Sequence, residues 1–167
     1  MFRLLLFLLT VAAAWGWPGV IHDGTPQARF AAAEFSRLQG AAVPEFPLAA
    51  LRSAGCSPCF VIAHGEEARR VAVELKAAPA KSTARESYAL RRAANAYFLA
   101  LGADATGAMY GGLELAEAFS LNVLAEIRDT DRAPHIERRG IKFNFPLDAR
   151  TPSYSDNADA AQYNIAE

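Results

Sequence analysis

The sequence predicts an α+β fold, in which a mostly antiparallel or mixed sheet carries two main helices on one face. Two observations lead to this prediction. Short apolar runs of strand length recur along the chain, and two longer segments place apolar residues on one side at helical spacing. Two helices on one face of such a sheet would bury both apolar stripes.

The first strand and the first helix are predicted within the opening forty residues. Gly19–His22 is a short apolar run, which we expect to form an edge strand. Thr25 and Pro26 form a typical helix start, with a hydroxyl cap before a proline at the first helical position. The helix is therefore predicted over Pro26–Gln39, and Gly40 is expected to end it.

The middle of the chain is predicted to add two extended segments and a short helical one. Residues 43–48 contain two prolines, which limits them to an edge strand or an extended loop. Residues 60–63 form an apolar strand that ends at His64 and Gly65. Residues 66–75 have helical composition, although glycine and an Ala/Pro-rich stretch bound them tightly.

A hairpin and a second main helix follow. Residues 88–91 alternate between the two faces of a strand, and residues 96–101 are continuously apolar, so the pair predicts a β-hairpin. Residues 107–119 have the pattern of a helix. Gly111 and Gly112 lie inside it, where each glycine costs about 1 kcal/mol relative to alanine. Close packing against the sheet would explain both glycines.

Composition and charge exclude several classes of protein. The 167 residues are 52% hydrophobic and 21% charged, values that are typical of a globular protein and exclude a disordered or fibrous chain. The net charge is −1, with acidic and basic residues spread along the chain, and this argues against a nucleic-acid partner.

Residues 1–16 resemble a signal peptide. Arg3 provides a minimal positive region, and the apolar run of eleven residues that follows it is too short to span the roughly 30 Å bilayer core. Small residues at Ala12 to Ala14 offer a cleavage site. The alternatives are a membrane anchor or a buried first helix. We expect export to the periplasm or the extracellular space, with no stable membrane insertion after cleavage.

Export would permit disulfides, and the chain contains only two cysteines, Cys56 and Cys59. The C-x-x-C spacing is also that of a redox dithiol, which needs the motif at a helix start. Pro58 and the apolar run after it indicate a loop entering a strand instead. We therefore predict a local structural disulfide or a free pair. A zinc site is not expected, because it needs two more ligands at close spacing and the sequence has no second cysteine pair.

One segment resembles a known family. The residues Glu-Ser-Tyr-Ala-Leu from Glu86, followed by Ala-Asp-Ala-Thr-Gly-Ala-Met-Tyr-Gly-Gly-Leu from Ala103, resemble the accessory domain that precedes the barrel of β-N-acetylhexosaminidases and α-glucuronidases. In that domain, a strand pair leads into a long helix packed on the sheet. The resemblance covers residues 20–119 and is most specific between residues 86 and 113. It implies an accessory domain over residues 17–125 and a linker over residues 126–138.

The end of the chain extends the resemblance. Residues 139–145 have the pattern of a buried strand, and the Arg139-Gly140 pair stands where the family opens the first strand of its (β/α)8 barrel. Residues 139–167 would then be the start of a truncated catalytic barrel. The family's arginine binds a sugar hydroxyl, and Arg139 inherits that role; the alternative is an interdomain salt bridge. Asn144 stands where hexosaminidases have an aspartate, so the sugar stays open.

These residues predict a function for the parent protein rather than for the fragment. Asp148 and Arg150 follow the predicted barrel strand, where they could bind sugar hydroxyls or form a structural ion pair. No catalytic acid/base pair, cofactor or metal site is predicted, and His22, His64 and His135 show no metal spacing. The expected function is a non-catalytic domain of an exported carbohydrate-active hydrolase, whose carbohydrate substrate binds in the barrel. The alternative is a self-standing carbohydrate-binding or interaction module.

Overall fold

A computed structural model describes residues 16–94 and 96–136. The chain divides into two compact units, Met1–His135 and Ile136–Glu167, and only Ile136 of the second is described. The predicted signal peptide, apart from its last residue, and the predicted barrel strand lie outside the described residues. Within them, none of the helices is long and apolar enough to cross a membrane.

The first unit contains six strands and three helices in the described part of the chain. The strands are β1 (Gly19–His22), β2 (Glu45–Pro47), β3 (Cys59–His64), β4 (Tyr88–Ala93), β5 (Tyr97–Gly102) and β6 (Thr130–Arg132). The helices are α1 (Pro26–Gln39), α2 (Gly65–Glu74) and α3 (Ala105–Ser120), with short 3₁₀ turns at Leu48–Ala50 and Leu124–Glu126.

The six strands form one mixed sheet in the order β2-β1-β3-β5-β4-β6. The strands β2, β1, β3 and β5 pair in parallel, whereas β4 is antiparallel to both β5 and β6. The sheet is therefore mixed rather than mostly antiparallel. The predicted hairpin is present as β4 and β5. The edge strand near residue 45 is also present, but β1 is an interior strand, which corrects the prediction that it lies at an edge.

The sheet is covered on both faces. On one face α1 and α3 pack over alternate sheet residues, with Phe35 and Leu115 fully buried. On the other face α2 packs through Val71 and Ala72 over the intervening residues, such as Val61. The prediction of two main helices on one face is correct for α1 and α3, and the short helical segment predicted over residues 66–75 is α2, which lies on the other face. Because helices pack on both faces of the sheet, the central strands are apolar on both sides, as buried parallel strands are.

Helix α1 begins and ends where its caps predict. Thr25 Oγ1 accepts a hydrogen bond from the Ala28 N–H at 3.2 Å, and Pro26 occupies the first helical position. Gly40 adopts a left-handed conformation with φ of 64°, which terminates the helix. These signals are local in sequence, so they fix both ends of the helix without tertiary information.

The predicted linker contains a strand instead. Within residues 126–138, Thr130–Arg132 forms β6 and pairs with β4 at the edge of the sheet. Arg91 of β4 holds this strand in place: its guanidinium is buried, donates to the Thr130 carbonyl at 2.8 Å and contacts both carboxylate oxygens of Asp131 at 2.9 Å. Three residues of the predicted linker segment are therefore part of the sheet, as an edge strand held by an ion pair.

Candidate functional site

The connections that leave β1 and β3 run in opposite directions across the sheet. Helix α1 follows β1 on one face, and β2 then pairs on the outer side of β1. Helix α2 follows β3 on the opposite face, and the remaining strands lie on the other side of β3. Such a reversal opens a crevice at the carboxyl ends of the two parallel strands, which is where open α/β sheets bind ligands.

Asp23 lies at this crevice, directly after β1. Its Oδ2 is 2.6 Å from Nδ1 of His64, the last residue of β3. Its Oδ1 accepts from the backbone N–H and the hydroxyl of Thr25 at 3.1 and 2.8 Å. Burial raises the pKa of Asp23, but the hydrogen bonds from His64 and Thr25 outweigh it, so the pKa is below its ordinary value. The ionised carboxylate is only an acceptor, so the imidazole Nδ1 carries the proton.

His22, the last residue of β1, forms a second pair. Its Nδ1 is 3.0 Å from the Gly24 N–H, which can only donate, so Nδ1 is the acceptor. The ring proton is therefore on Nε2, which donates to Glu45 Oε2 at 3.1 Å. Gly24 has a φ of 82°, a left-handed conformation that glycine adopts without strain. The tight turn after β1 thus fixes the orientation of the imidazole.

A cleft of about 440 Å³ opens beside these pairs. Its walls come from the carboxyl end of β1, from β2 and the turn after it, and from two helices. The lining residues are His22, Asp23, Gly24, Arg29, Glu45, Phe46, Pro47, Leu48, Glu67 and Arg70. The size is that of a site for a small molecule.

The arrangement provides hydrogen-bond donors and acceptors rather than a nucleophile. The Asp23–His64 pair has the orientation of a general-base dyad, yet no hydroxyl or thiol among the described residues is hydrogen bonded to the imidazole. In the same part of the chain, no group of three or more His, Cys, Asp or Glu side chains is placed to hold a metal ion.

The structure joins Cys56 and Cys59 in a disulfide. Cys59 begins β3 and His64 ends it, so the disulfide and the crevice lie at opposite ends of the same strand. A Cβ at Gly19 would lie 2.8 Å from the Cβ of Cys56, which shows how closely the disulfide loop packs on β1. The disulfide is thus placed to brace the loop that enters β3.

The structure does not describe the sugar-binding residues predicted from the sequence. Arg139, Asp148 and Arg150 lie outside the described residues, so their roles stay predictions. His22 and His64 were predicted as strand-end residues, and that is where they lie, but Asp23 and Glu45 were not predicted as site residues. The available signal for Asp23 was a polar residue directly after a buried strand, whereas Glu45 is the exposed first residue of β2 and had no such signal.

Comparison with known proteins leaves the chain unassigned. No family model and no curated protein matches the sequence. Among solved structures, one that is similar over 70% of this chain is described as a GH138 enzyme targeting pectin rhamnogalacturonan II, with 14% sequence identity and a TM-score of 0.45. The match covers 12% of that protein's length. A likeness of this strength assigns neither family nor activity.

Proposed function

We propose that this chain carries the non-catalytic domain that precedes and supports the barrel of an exported carbohydrate-active hydrolase of the hexosaminidase or α-glucuronidase type. The proposal rests on the segment that resembles the accessory domains, residues 86–113, and on what its side chains do. In this proposal, Arg139, Asp148 and Arg150 bind sugar hydroxyls in the barrel.

The observation that carries the proposal is that the motif residues hold the hairpin to α3. Asp104 accepts from the Gly107 N–H at 2.8 Å and from the Glu86 N–H at 2.9 Å, so one carboxylate caps the helix and fixes the entry to β4. The Tyr88 hydroxyl donates to Glu114 of α3 at 2.7 Å. Burial, followed by the neighbouring Glu114 carboxylate, raises the pKa of Tyr88, so its hydroxyl stays protonated and remains a donor.

The glycines of the motif serve the same purpose. A Cβ at Gly107 would overlap the carbonyl oxygen of Ser87, and one at Gly111 would lie 2.9 Å from the Cβ of Ala100. Both contacts join α3 to the hairpin, as close helix–sheet packing requires. The segment that carries the resemblance is therefore used for packing, which is what a supporting domain needs.

Asp23 does not suit the role of the general acid in glycoside hydrolysis. That reaction generally needs a pair of carboxyl groups, one of them an acid with a raised pKa. The pKa of Asp23 is lowered, so it cannot serve as the proton donor near neutral pH. In the proposed protein, the acid and its partner come from the barrel.

Aryl glycosides test this proposal directly. The purified 167-residue chain is incubated with nitrophenyl N-acetylglucosaminide and nitrophenyl glucuronide, with a glycosidase of known activity in parallel. We expect no nitrophenol release above the buffer rate. Release that rises in proportion to protein concentration and co-purifies with the chain would overturn the non-catalytic assignment.

A further inference from the structure

All but one of the charged side chains that line the cleft have a hydrogen-bond or ion-pair partner. Glu45 is hydrogen bonded to His22, and Asp23 to His64 and Thr25. Glu67 lies 2.5 Å from Arg70 in an ion pair. Each acidic residue of the cleft thus has a local partner, and so does one of its two arginines.

Arg29 is the exception in this set. It lies in the first turns of α1 and is exposed, and its guanidinium forms no ion pair or hydrogen bond with any residue that the structure describes. A guanidinium presents five N–H donors in a planar fork that matches a carboxylate in bidentate fashion. The donors of Arg29 are therefore available to an anionic group of a ligand in the cleft.

Glu45 supplies acceptors to the same cleft. Its side chain accepts one hydrogen bond, from His22, and is 43% exposed, so acceptor positions remain available on its carboxylate. A carboxylate accepts up to about four hydrogen bonds. Hydroxyl groups of a ligand can donate to these positions, whereas a second carboxylate would be repelled by them. Phe46 adds a partly buried apolar surface to the cleft lining.

We propose that this cleft binds a small polyhydroxy carboxylate, whose carboxylate lies on Arg29 and whose hydroxyl groups donate to Glu45. The position of the cleft supports the proposal, because it lies at the carboxyl ends of parallel strands where the sheet connections reverse. A volume of about 440 Å³ accommodates a molecule of the size of one sugar ring. The inference does not rest on the proposed function, since a supporting domain can have or lack such a cleft.

An NMR titration of the ¹⁵N-labelled 167-residue chain tests the proposal. The probe is D-glucuronate; D-glucose lacks the carboxylate, and acetate lacks the hydroxyl groups. We expect glucuronate to bind in the millimolar range and to shift the amides of Gly24, Glu45 and Phe46, with both control compounds binding at least about tenfold more weakly.

Matched variants identify the residue responsible. Arg29→Gln is expected to weaken glucuronate binding about tenfold or more, and Arg29→Lys by a smaller factor, because lysine keeps the charge but loses the planar fork. Arg69→Gln is the control, since Arg69 is an exposed arginine of α2 outside the cleft lining. It is expected to bind glucuronate like the unmodified chain. Amide spectra that superimpose away from the cleft show that each variant is folded.

Three results would overturn the proposal: no shift at the cleft amides, equal binding of acetate and glucuronate, or equal loss in Arg29→Gln and Arg69→Gln. The equal-binding result would identify a simple anion site without recognition of hydroxyl groups. None of these results bears on the aryl glycoside assay, so failure of the cleft proposal and failure of the proposed function are separable.

Discussion

Asp23 organises the crevice because it accepts from three donors on two elements. The hydrogen bonds from Thr25 close the turn after β1, and the one from His64 joins that turn to the end of β3. Only 4% of its side chain is exposed, so each bond replaces one that water would otherwise make. One carboxylate thus connects the start of α1 with the start of α2.

The lowered pKa of Asp23 predicts a pH dependence of stability. A carboxyl group with a lower pKa in the folded than in the unfolded chain stabilises the fold fully above its unfolded pKa, about 4. The stabilisation is lost as the pH falls through the folded value, which lies below that. Asp23→Asn should therefore cost about 1–3 kcal/mol at pH 7. The cost should shrink as the pH is lowered from about 4 towards 2.

Urea denaturation at a series of pH values measures this difference. The control is Asp129→Asn, because Asp129 is exposed and accepts only from the backbone N–H of Arg92, at 3.2 Å, in the described part of the chain. It should change stability by less than about 0.5 kcal/mol. Parallel pH curves for Asp23→Asn and the unmodified chain would contradict the assigned pKa shift.

The strand ends that border the crevice could be predicted from the sequence, but their position next to each other could not. The strand ends at His22 and His64 were predicted from short apolar runs, a local signal. That β1 and β3 are neighbours follows from parallel pairing across some forty residues, which no local pattern specifies. The Asp23–His64 contact depends on that pairing and could not be predicted without it.

Among the elements, α3 and the hairpin are joined by close backbone approach. A side chain at Gly107 would overlap the Ser87 carbonyl, and the same carbonyl accepts from the Ala103 N–H at 2.9 Å. The carbonyl cannot move aside without breaking that bond. The loop before β4 and the first turn of α3 therefore fix each other's position.

Gly107→Ala tests this packing. Although alanine is the better helix former, the overlap with Ser87 should dominate and cost about 1–3 kcal/mol. Thr106→Ala, one residue earlier in the same turn, should change stability by less than about 0.5 kcal/mol. Thermal and urea denaturation check both values. A Gly107→Ala chain as stable as Thr106→Ala would show that the close approach is not needed.

The edge strand β6 depends on hydrogen bonds from the buried side chain of Arg91. The Arg91 guanidinium also donates to the Ala78 and Pro79 carbonyls at 3.0 and 2.9 Å, so one buried side chain ties a loop and β6 to β4. Arg91→Met should cost about 3–5 kcal/mol, because it leaves Asp131 and several carbonyls without their donor. Amide hydrogen exchange should show protection lost first at Thr130–Arg132.

Arg92→Met is the matched control on the same strand. Arg92 is exposed and lies 5.6 Å from the centre of the Phe98 ring, a cation–π contact worth about 0.5–1 kcal/mol at an exposed site. Its removal should leave exchange at β6 unchanged. Equal effects of the two substitutions would contradict the role assigned to Arg91.

Among the secondary-structure elements, the helices could be predicted from the sequence more fully than the strands. Helix α1 agrees with its prediction at both ends because Thr25, Pro26 and Gly40 act locally. Strand β6 was predicted as a linker because three charged and polar residues carry no strand pattern. It forms through its partners on β4 and through the buried Arg91, which are distant in sequence.

For the whole molecule, we propose that the first unit supports a catalytic barrel and performs no hydrolysis itself. Its sheet is buried on both faces, and the segment that resembles accessory domains is used to pack α3 on the hairpin. Both features support the proposed role of the unit as a scaffold.

Sequencing the coding region beyond Glu167 tests that claim most directly. We predict an open reading frame that continues for about 250 residues of alternating strand and helix patterns, the length of a (β/α)8 barrel. We also expect at least one pair of Asp or Glu residues at the carboxyl ends of those strands. A stop codon directly after Glu167, or a downstream region without that alternation, would contradict the claim.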